Sequence, residues 1–194
     1  MPTPASVISG IITAGKLAES IGKMSSLIPD VPQDLKDKHR WVTVTVFNQS
    51  QYALVYKSSY FDSGRFWTAP TNVEPFQEMT FSGCDKDGSF LTGVIGGTTF
   101  TLQMPKEGGG YQELDIGIGF TNPQIGSLKS SGVFTSSAET AYDDATDSTT
   151  NNTSSNYSGN DTNGESTTIN FLLVSAPGQE ARITITEQIV SGGN

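Results

Sequence analysis

The feature that most constrains this chain is a series of short alternating segments that begins at residue 41. The first, WVTVTVFNQ (41–49), sets Val42, Val44 and Val46 on one side and the threonines between them on the other. Because successive side chains of a strand point to opposite faces, this pattern is typical of a half-buried strand. Further segments of this kind are 52–61, 75–83, 90–104, 111–120, 132–137, 168–176 and 180–190. Strands this short, separated by turn residues, predict an all-β sandwich with one core.

Residues 5–28 (ASVISGIITAGKLAESIGKMSSLI) have a helical pattern instead. Lysines, Glu19 and small polar residues fall opposite an apolar stripe, so we predict one amphipathic helix that ends before Pro29. Such a helix of about 24 residues would be about 36 Å long. The stripe and its flanks comprise Val7, Ile8, Ile11, Ile12, Ala14, Leu17, Ala18, Ile21 and Ile28.

Two interpretations of this helix remain open. It either packs permanently on the sheet or detaches through a hinge made of Pro29, Pro32 and the charged run 34–40. Its polar residues exclude a lone transmembrane helix, and it has neither the basic start nor the unbroken apolar run of a signal peptide. We therefore divide the chain into a helix and hinge at 1–33 and a β-sandwich domain at 34–194.

Residues 146–168 (TDSTTNNTSSNYSGNDTNGESTT) are almost wholly polar. A segment of this composition cannot bury a core, so we predict a long, mobile surface loop. Immediately before it, SAETAYDDA (137–145) starts with a serine and has an acidic residue soon after, which predicts a short helix.

Composition limits the chemistry that this chain can perform. The formal net charge of −9, from 20 acidic and 11 basic residues, argues against nucleic acid and against anionic lipid as partners. A single cysteine, Cys84, and a single histidine, His39, leave no intramolecular disulfide, zinc site or convincing catalytic triad. We expect no enzyme activity, no cofactor and no metal, and a partner that is either a net-neutral lipid headgroup or a glycan.

Seven motifs occur in a fixed order along the chain. They are VTVTVFNQS (42–50), SYFDSG (59–64), Pro70 with Val73-Glu74-Pro75, LTGVIG (91–96), IGFTNP (118–123), AYDDA (141–145) and SAPGQEARITI (175–185). Together they resemble motifs of the actinoporins, the pore-forming cytolysins of sea anemones, and of their fungal relatives. The resemblance implies a β-sandwich flanked by an N-terminal amphipathic helix and a second short helix.

The resemblance also implies a function and a set of site residues. Actinoporins bind the phosphocholine headgroup of sphingomyelin, insert the first helix and assemble into pores, and fungal relatives recognise sphingomyelin together with cholesterol. The implied headgroup-binding positions are Ser63, Ile95 (in place of Val), Thr121 (in place of Ser), Pro123 and Tyr142. Tyr142 would offer a ring face to a quaternary ammonium, and the two hydroxyls would donate to a phosphate. The implied membrane-inserting residues are Val7, Ile8, Ile11, Ile12, Leu17 and Ile21.

This chain departs from the family at the aromatic residues of that site. The loop QIGSLKSSG (124–132) contains no aromatic residue, and Thr146-Asp147 replaces a family Tyr-Tyr pair, so most of the aromatic cage is missing. Phe66 and Trp67 are either a substitute pair of interfacial aromatics or ordinary core residues.

The leading hypothesis is a membrane-lipid-binding protein that recognises sphingomyelin with cholesterol, inserts residues 5–28, and forms homo-oligomeric pores. Without a signal peptide, we expect a protein that is made in soluble form, in the cytosol or for non-classical secretion, and that acts on the outer surface of target-cell membranes. The alternatives are a lectin on the same scaffold, which uses polar loops such as 146–168, and a β-sandwich module whose helix never leaves.

Overall fold

A computed structural model describes residues 7–24, 27–86, 88 and 92–191. The chain is 54% strand and 11% helix, and its two sheets form a sandwich, which confirms the predicted fold class. The helices are α1 (Ala14–Lys23), α2 (Gln33–Lys36) and α3 (Ala138–Asp143). The strands are β1 (Ile8–Ile11), β2 (Trp41–Gln49), β3 (Leu54–Ser63), β4 (Arg65–Thr68), β5 (Glu78–Cys84), β6 (Val94–Pro105), β7 (Tyr111–Asn122), β8 (Lys129–Val133), β9 (Thr150–Thr153), β10 (Tyr157–Asp161), β11 (Ser166–Ala176) and β12 (Glu180–Ser191).

The larger sheet has the strand order β1-β10-β11-β12-β2-β5-β4, and β9 also pairs with β11. The smaller sheet has the order β3-β6-β7-β8. Because residues alternate between the two faces of a strand, each sheet turns its apolar face inward. The resulting core includes Val42, Val44, Val46, Phe81, Phe100, Ile116, Ile118, Phe120, Phe171, Leu173, Ile183 and Ile185.

The polar segment 146–168 is not the mobile loop that its composition predicts. Thr150–Thr153 and Tyr157–Asp161 both pair with β11, and β11 itself begins at Ser166. Backbone hydrogen bonds form whatever the side chain, and one aromatic residue ties the segment to the core, since the Tyr157 ring lies 6.0 Å from that of Phe171. The composition was therefore a poor guide to structure here.

The predicted helix over 5–28 is wrong in its first half. Ile8–Ile11 form a strand that pairs in parallel with β10, where Ile8 lies opposite Gly159. The backbone N–H of Glu107 also donates to the carbonyl of Val7 at 3.0 Å. Apolar residues at 8, 11 and 12 fit a buried strand as well as a helix, and the free edge of β10 decides for the strand. Residues 5, 6, 25 and 26 of the predicted helix lie outside the described residues, and residues 27 and 28 are not helical.

The second half of that segment is the helix α1, which is only lightly attached. Leu17, at 6% exposure, is its one buried residue, whereas Ile21 is half-buried and most of the other residues are exposed. At 1.5 Å per residue, α1 is about 15 Å long. Among the described residues, no helix is long and apolar enough to cross a membrane.

The six predicted inserting residues thus divide between two structures. Ile8, Ile11 and Ile12 are buried at the edge of the sandwich, and Val7, just before them, is half-buried. Leu17 and Ile21 belong to α1. The segment before residue 33 contributes a strand to the larger sheet, and the boundary at that residue stays a prediction.

Two other local structures concern the segments next to the site. The predicted hinge contains α2, whose Leu35 is fully buried. The predicted short helix over 137–145 is confirmed as α3, and its first turn is capped by Ser137, whose hydroxyl accepts a hydrogen bond from the Thr140 N–H at 3.1 Å.

Candidate functional site

Three of the five predicted headgroup positions lie in one row across the smaller sheet. Ser63 on β3 pairs with Ile95 on β6, and Ile95 pairs with Thr121 on β7. Directly opposite residues of antiparallel strands project from the same face, so these side chains are neighbours. The row continues to β8, where Thr121 pairs with Lys129. Lys129 is therefore a fourth member that the sequence analysis missed.

Glycines place Tyr142 beside this row. A Cβ on Gly97 would lie 2.0 Å from the carbonyl oxygen of Ala138, and one on Gly119 would lie 1.9 Å from that of Ala141. Only glycine permits this approach, which lays α3 directly against β6 and β7. The last turn of α3 then sets Tyr142 and Asp143 next to Thr121 and Lys129, around one cavity.

Two adjoining cavities contain all five predicted positions. The first, of about 290 Å³, is lined by Ile95, Thr121, Pro123, Ile125, Gly126, Ser127, Lys129, Tyr142, Asp143 and Ala145. The second, of about 360 Å³, is lined by Ser63, Thr92, Gly93, Ile95, Pro123, Gln124 and Ile125. Ile95, Pro123 and Ile125 are common to both. We refer to the first cavity as the α3 cavity and to the second as the Ser63 cavity.

Ile125 stands at the mouth of both cavities. Its side chain is 91% exposed, and it lies two residues after Pro123 in the loop after β7. This loop lacks the aromatic residues of the family, and Ile125 is the large apolar side chain that it exposes instead.

The two hydroxyl groups of the row are already engaged within the protein. The Ser63 hydroxyl donates to the carbonyl of Gly93 at 3.0 Å, and that of Thr121 donates to the carbonyl of Ser127 at 3.4 Å. Each hydroxyl oxygen can still accept a hydrogen bond. To donate to a ligand, however, each hydroxyl would first have to break its hydrogen bond to the backbone carbonyl. The Lys129 ammonium is then the cationic donor that lines the α3 cavity.

The α3 cavity carries both signs of charge. Lys129 and Asp143 line it and both are exposed, and among the described residues they make no ion pair with each other. Nor do the described residues include a group of three His, Cys, Asp or Glu side chains that could hold a metal ion.

Tyr142 is paired with a second tyrosine. Its ring stacks on that of Tyr60, with centroids 5.9 Å apart and planes 30° apart. Desolvation raises the pKa of Tyr60, and the carboxylates of Glu139 and Asp62, then Tyr142 and Asp143, raise it further. Three carboxylates therefore act on Tyr60 beside α3.

The two predicted interfacial aromatics differ in their surroundings. Phe66 packs edge to face on Phe61 at 4.7 Å and on Phe81 at 6.1 Å, so it belongs to the aromatic packing of the core. Trp67 is half-buried, with the Lys38 ammonium 5.5 Å and the Arg65 guanidinium 5.8 Å from its ring centroid. Both rings are half-buried, and of the two it is Trp67 that has cations over its ring.

The structure thus brings Ser63, Ile95, Thr121, Pro123 and Tyr142 together, and their role as a headgroup site stays a prediction. Sequence reasoning missed Lys129 because we started β8 at residue 132 instead of 129. It missed Asp143 because adjacent acids on a helix are usually solvated. The correct register of β8 against β7 was the signal that could have found Lys129.

Comparisons with known proteins find likenesses among solved structures. No protein-family model matches this sequence, and no significant match is found among curated proteins. Among solved structures, the chain is similar to the crystal structure of the lipid binding protein Nakanori at 1.5 Å. The sequence identity is 13% and the TM-score 0.48, over 90% of this chain and 79% of that chain.

Proposed function

We propose that this protein binds the headgroup of zwitterionic phospholipids at a membrane surface, in the α3 cavity and the Ser63 cavity. The observation that carries the proposal is the convergence of Lys129, Asp143 and the Tyr142 ring on one open cavity. A zwitterionic headgroup has a phosphate and an ammonium a few bonds apart, and this cavity offers a partner for each. The volume of the two cavities suits a small polar ligand.

The apolar residue at the mouth supports a membrane partner over a free solute. Ile125 would enter the boundary between headgroups and acyl chains while the cavities below it receive a headgroup. From the resemblance to actinoporins we further propose that the lipid is sphingomyelin, recognised together with cholesterol. The protein would act on the outer surface of target cells and would perform no catalysis.

Flotation with vesicles tests lipid binding. We expect association with phosphatidylcholine vesicles that contain sphingomyelin, with or without cholesterol, and weaker association with phosphatidylcholine alone. Tyr142→Ala should reduce association, whereas Tyr111→Ala, which removes a half-exposed ring from a strand end outside both cavities, should not. A folded sample that floats with none of these vesicles would overturn the proposal.

Pore formation is a separate part of the proposal and rests on α1. One buried residue, Leu17, holds this helix, so its release costs little packing. Ile21→Asp puts a charge on the apolar stripe without disturbing a buried residue, and should lower dye release while flotation is kept. Thr13→Asp adds the same charge at the N-cap on the polar side and serves as the control. Unchanged leakage from Ile21→Asp would exclude insertion of this helix.

No described feature favours the lectin alternative. The polar segment on which it depended forms β9 and β10 instead of a free loop. An excess of free sugars in the flotation assay still separates the two functions, since inhibition by a sugar would favour a lectin.

A further inference from the structure

We propose that Lys129 and Asp143 set the headgroup specificity of the α3 cavity, and that this cavity prefers phosphoethanolamine to phosphocholine. The inference rests on the proposed function and names its ligand class. Lys129 binds the phosphate at the β8 side of the cavity, and Asp143 binds a primary ammonium at the α3 side.

The assignment of Lys129 to the phosphate follows from the row of residues across the smaller sheet. Lys129 lies directly opposite Thr121, whose hydroxyl proton points to the carbonyl of Ser127. The Ser63 hydroxyl is likewise turned to Gly93. With both hydroxyls engaged, the exposed Lys129 ammonium is the donor that needs no rearrangement, and a charge-assisted contact to phosphate is stronger than a neutral one.

The kind of ammonium group that the cavity prefers follows from the surroundings of Tyr142. A trimethylammonium has no N–H group, so it needs aromatic faces on several sides. Here one face of Tyr142 is occupied by Tyr60, and the loop 124–132 supplies no other ring. The cavity therefore offers a choline headgroup a single ring face, which supports weaker binding than a full aromatic cage would.

A primary ammonium has the opposite requirement. It has three N–H donors and is strongly hydrated, so it enters a site only where acceptors replace water. The Asp143 carboxylate lines the α3 cavity and supplies such an acceptor.

Titration with soluble headgroups tests the preference. The probes are O-phosphoethanolamine and phosphocholine, followed through amide shifts in NMR spectra of the full chain. We expect tighter binding of O-phosphoethanolamine, and Asp143→Asn should weaken it about tenfold while leaving phosphocholine nearly unchanged. Lys129→Gln should weaken both probes. The controls are Asp144→Asn, an equal loss of charge one residue away, and Lys57→Gln, an exposed lysine outside both cavities.

Vesicles link this test to the membrane. Two sets are compared, each with the same phosphatidylcholine background and either ceramide phosphoethanolamine or sphingomyelin, which share the ceramide. Stronger flotation with the first set, lost in Asp143→Asn, supports the inference. Flotation with sphingomyelin alone, or an unchanged preference in Asp143→Asn, overturns the inference and leaves the proposed function standing. Binding of neither headgroup and of neither vesicle overturns both.

Discussion

The two halves of the N-terminal segment have similar sequences and different structures. Ile8–Ile11 is a strand of the larger sheet with both end isoleucines fully buried, whereas Ala14–Lys23 is a helix with one buried residue. Both halves carry apolar residues at helical spacing. What distinguishes the two halves is the surface that each contacts. The first half pairs with the free edge of β10, whereas the described part of the second half buries only Leu17.

This difference shows where release of the segment would meet resistance. The helix can leave the body by exposing little more than Leu17. Removal of the strand would expose Ile8 and Ile11 and unpair the edge of β10. We therefore expect any release to stop near residue 12, unless contacts with the membrane compensate for the lost pairing and burial of β1.

Truncation of one buried side chain in each half gives the largest contrast. Ile11→Ala should lower the free energy of unfolding by about 3 kcal/mol, because the cavity it leaves is enclosed. Leu17→Ala should cost only about 1 kcal/mol, because the neighbours of an almost isolated residue relax or admit water. Urea unfolding of both variants measures the difference, and equal losses would show that helix and strand are held equally firmly.

A substitution on the partner strand should affect the first half alone. A Cβ on Gly159 would lie 2.1 Å from the carbonyl oxygen of Ile8, so Gly159→Ala must push β1 away from β10. We expect a loss of about 2 kcal/mol and faster hydrogen exchange at residues 8–11. Gly178→Ala is the matched control, because its Cβ would meet nothing closer than 3.8 Å. Unaltered exchange at β1 in Gly159→Ala would contradict the described pairing.

A buried carboxylate lies where the two halves meet, and it makes stability depend on pH. Glu187 is 2% exposed, and the Gln51 side chain joins it to the N-terminal segment. The side-chain N–H of Gln51 donates to Glu187 at 2.8 Å, and the Ile12 backbone N–H donates to the side-chain oxygen Oε1 of Gln51 at 3.2 Å. Burial raises the pKa of Glu187, although hydrogen bonds from Gln51 oppose the rise. The same burial, with the Glu187 charge, raises the pKa of Tyr52.

The sign of the effect follows from proton binding. Between the ordinary pKa of 4.5 and the raised pKa of the folded state, the folded protein binds more protons than the unfolded chain. Stability from this group therefore falls as the pH rises through that window. Relative to wild type, Glu187→Gln should gain stability as pH rises, although its amide can accept only one of the two Gln51 bonds. Unfolding in urea at several pH values checks this, and a constant difference between the proteins would contradict it.

The smallest effect should come from the ion pair on the helix. Glu19 and Lys23 are one turn apart and largely exposed, and Lys23 donates to the Glu19 carboxylate. Exposed pairs of this kind contribute about 0.3 to 0.5 kcal/mol, so Glu19→Gln should barely change the unfolding midpoint. A loss comparable with that of Leu17→Ala would mean that the pair holds the helix in place as firmly as the buried leucine does.

The sequence predicts the fold correctly where burial alternates regularly along a strand. It fails where a strand depends on a pairing partner that is distant in sequence. The alternation of Val42, Val44 and Val46 predicts β2 to the residue, because one face of that strand is in the core. The strand nature of 8–11 depends on Gly159, and that of 150–153 depends on β11, neither of which local composition reveals. Ser63, Ile95 and Thr121 were named from motifs, but their alignment in one row, and the place of Lys129 in it, follow only from the strand register.

The pairing of β1 with β10 also bears on the order of synthesis. Its partners Ile8 and Gly159 are about 150 residues apart in sequence, and closing so long a loop is entropically unfavourable until other contacts hold its ends near. On the ribosome, the N-terminal segment is made first but can pair only after β10 has emerged. During that interval its isoleucines are available to chaperones or to a neighbouring nascent chain.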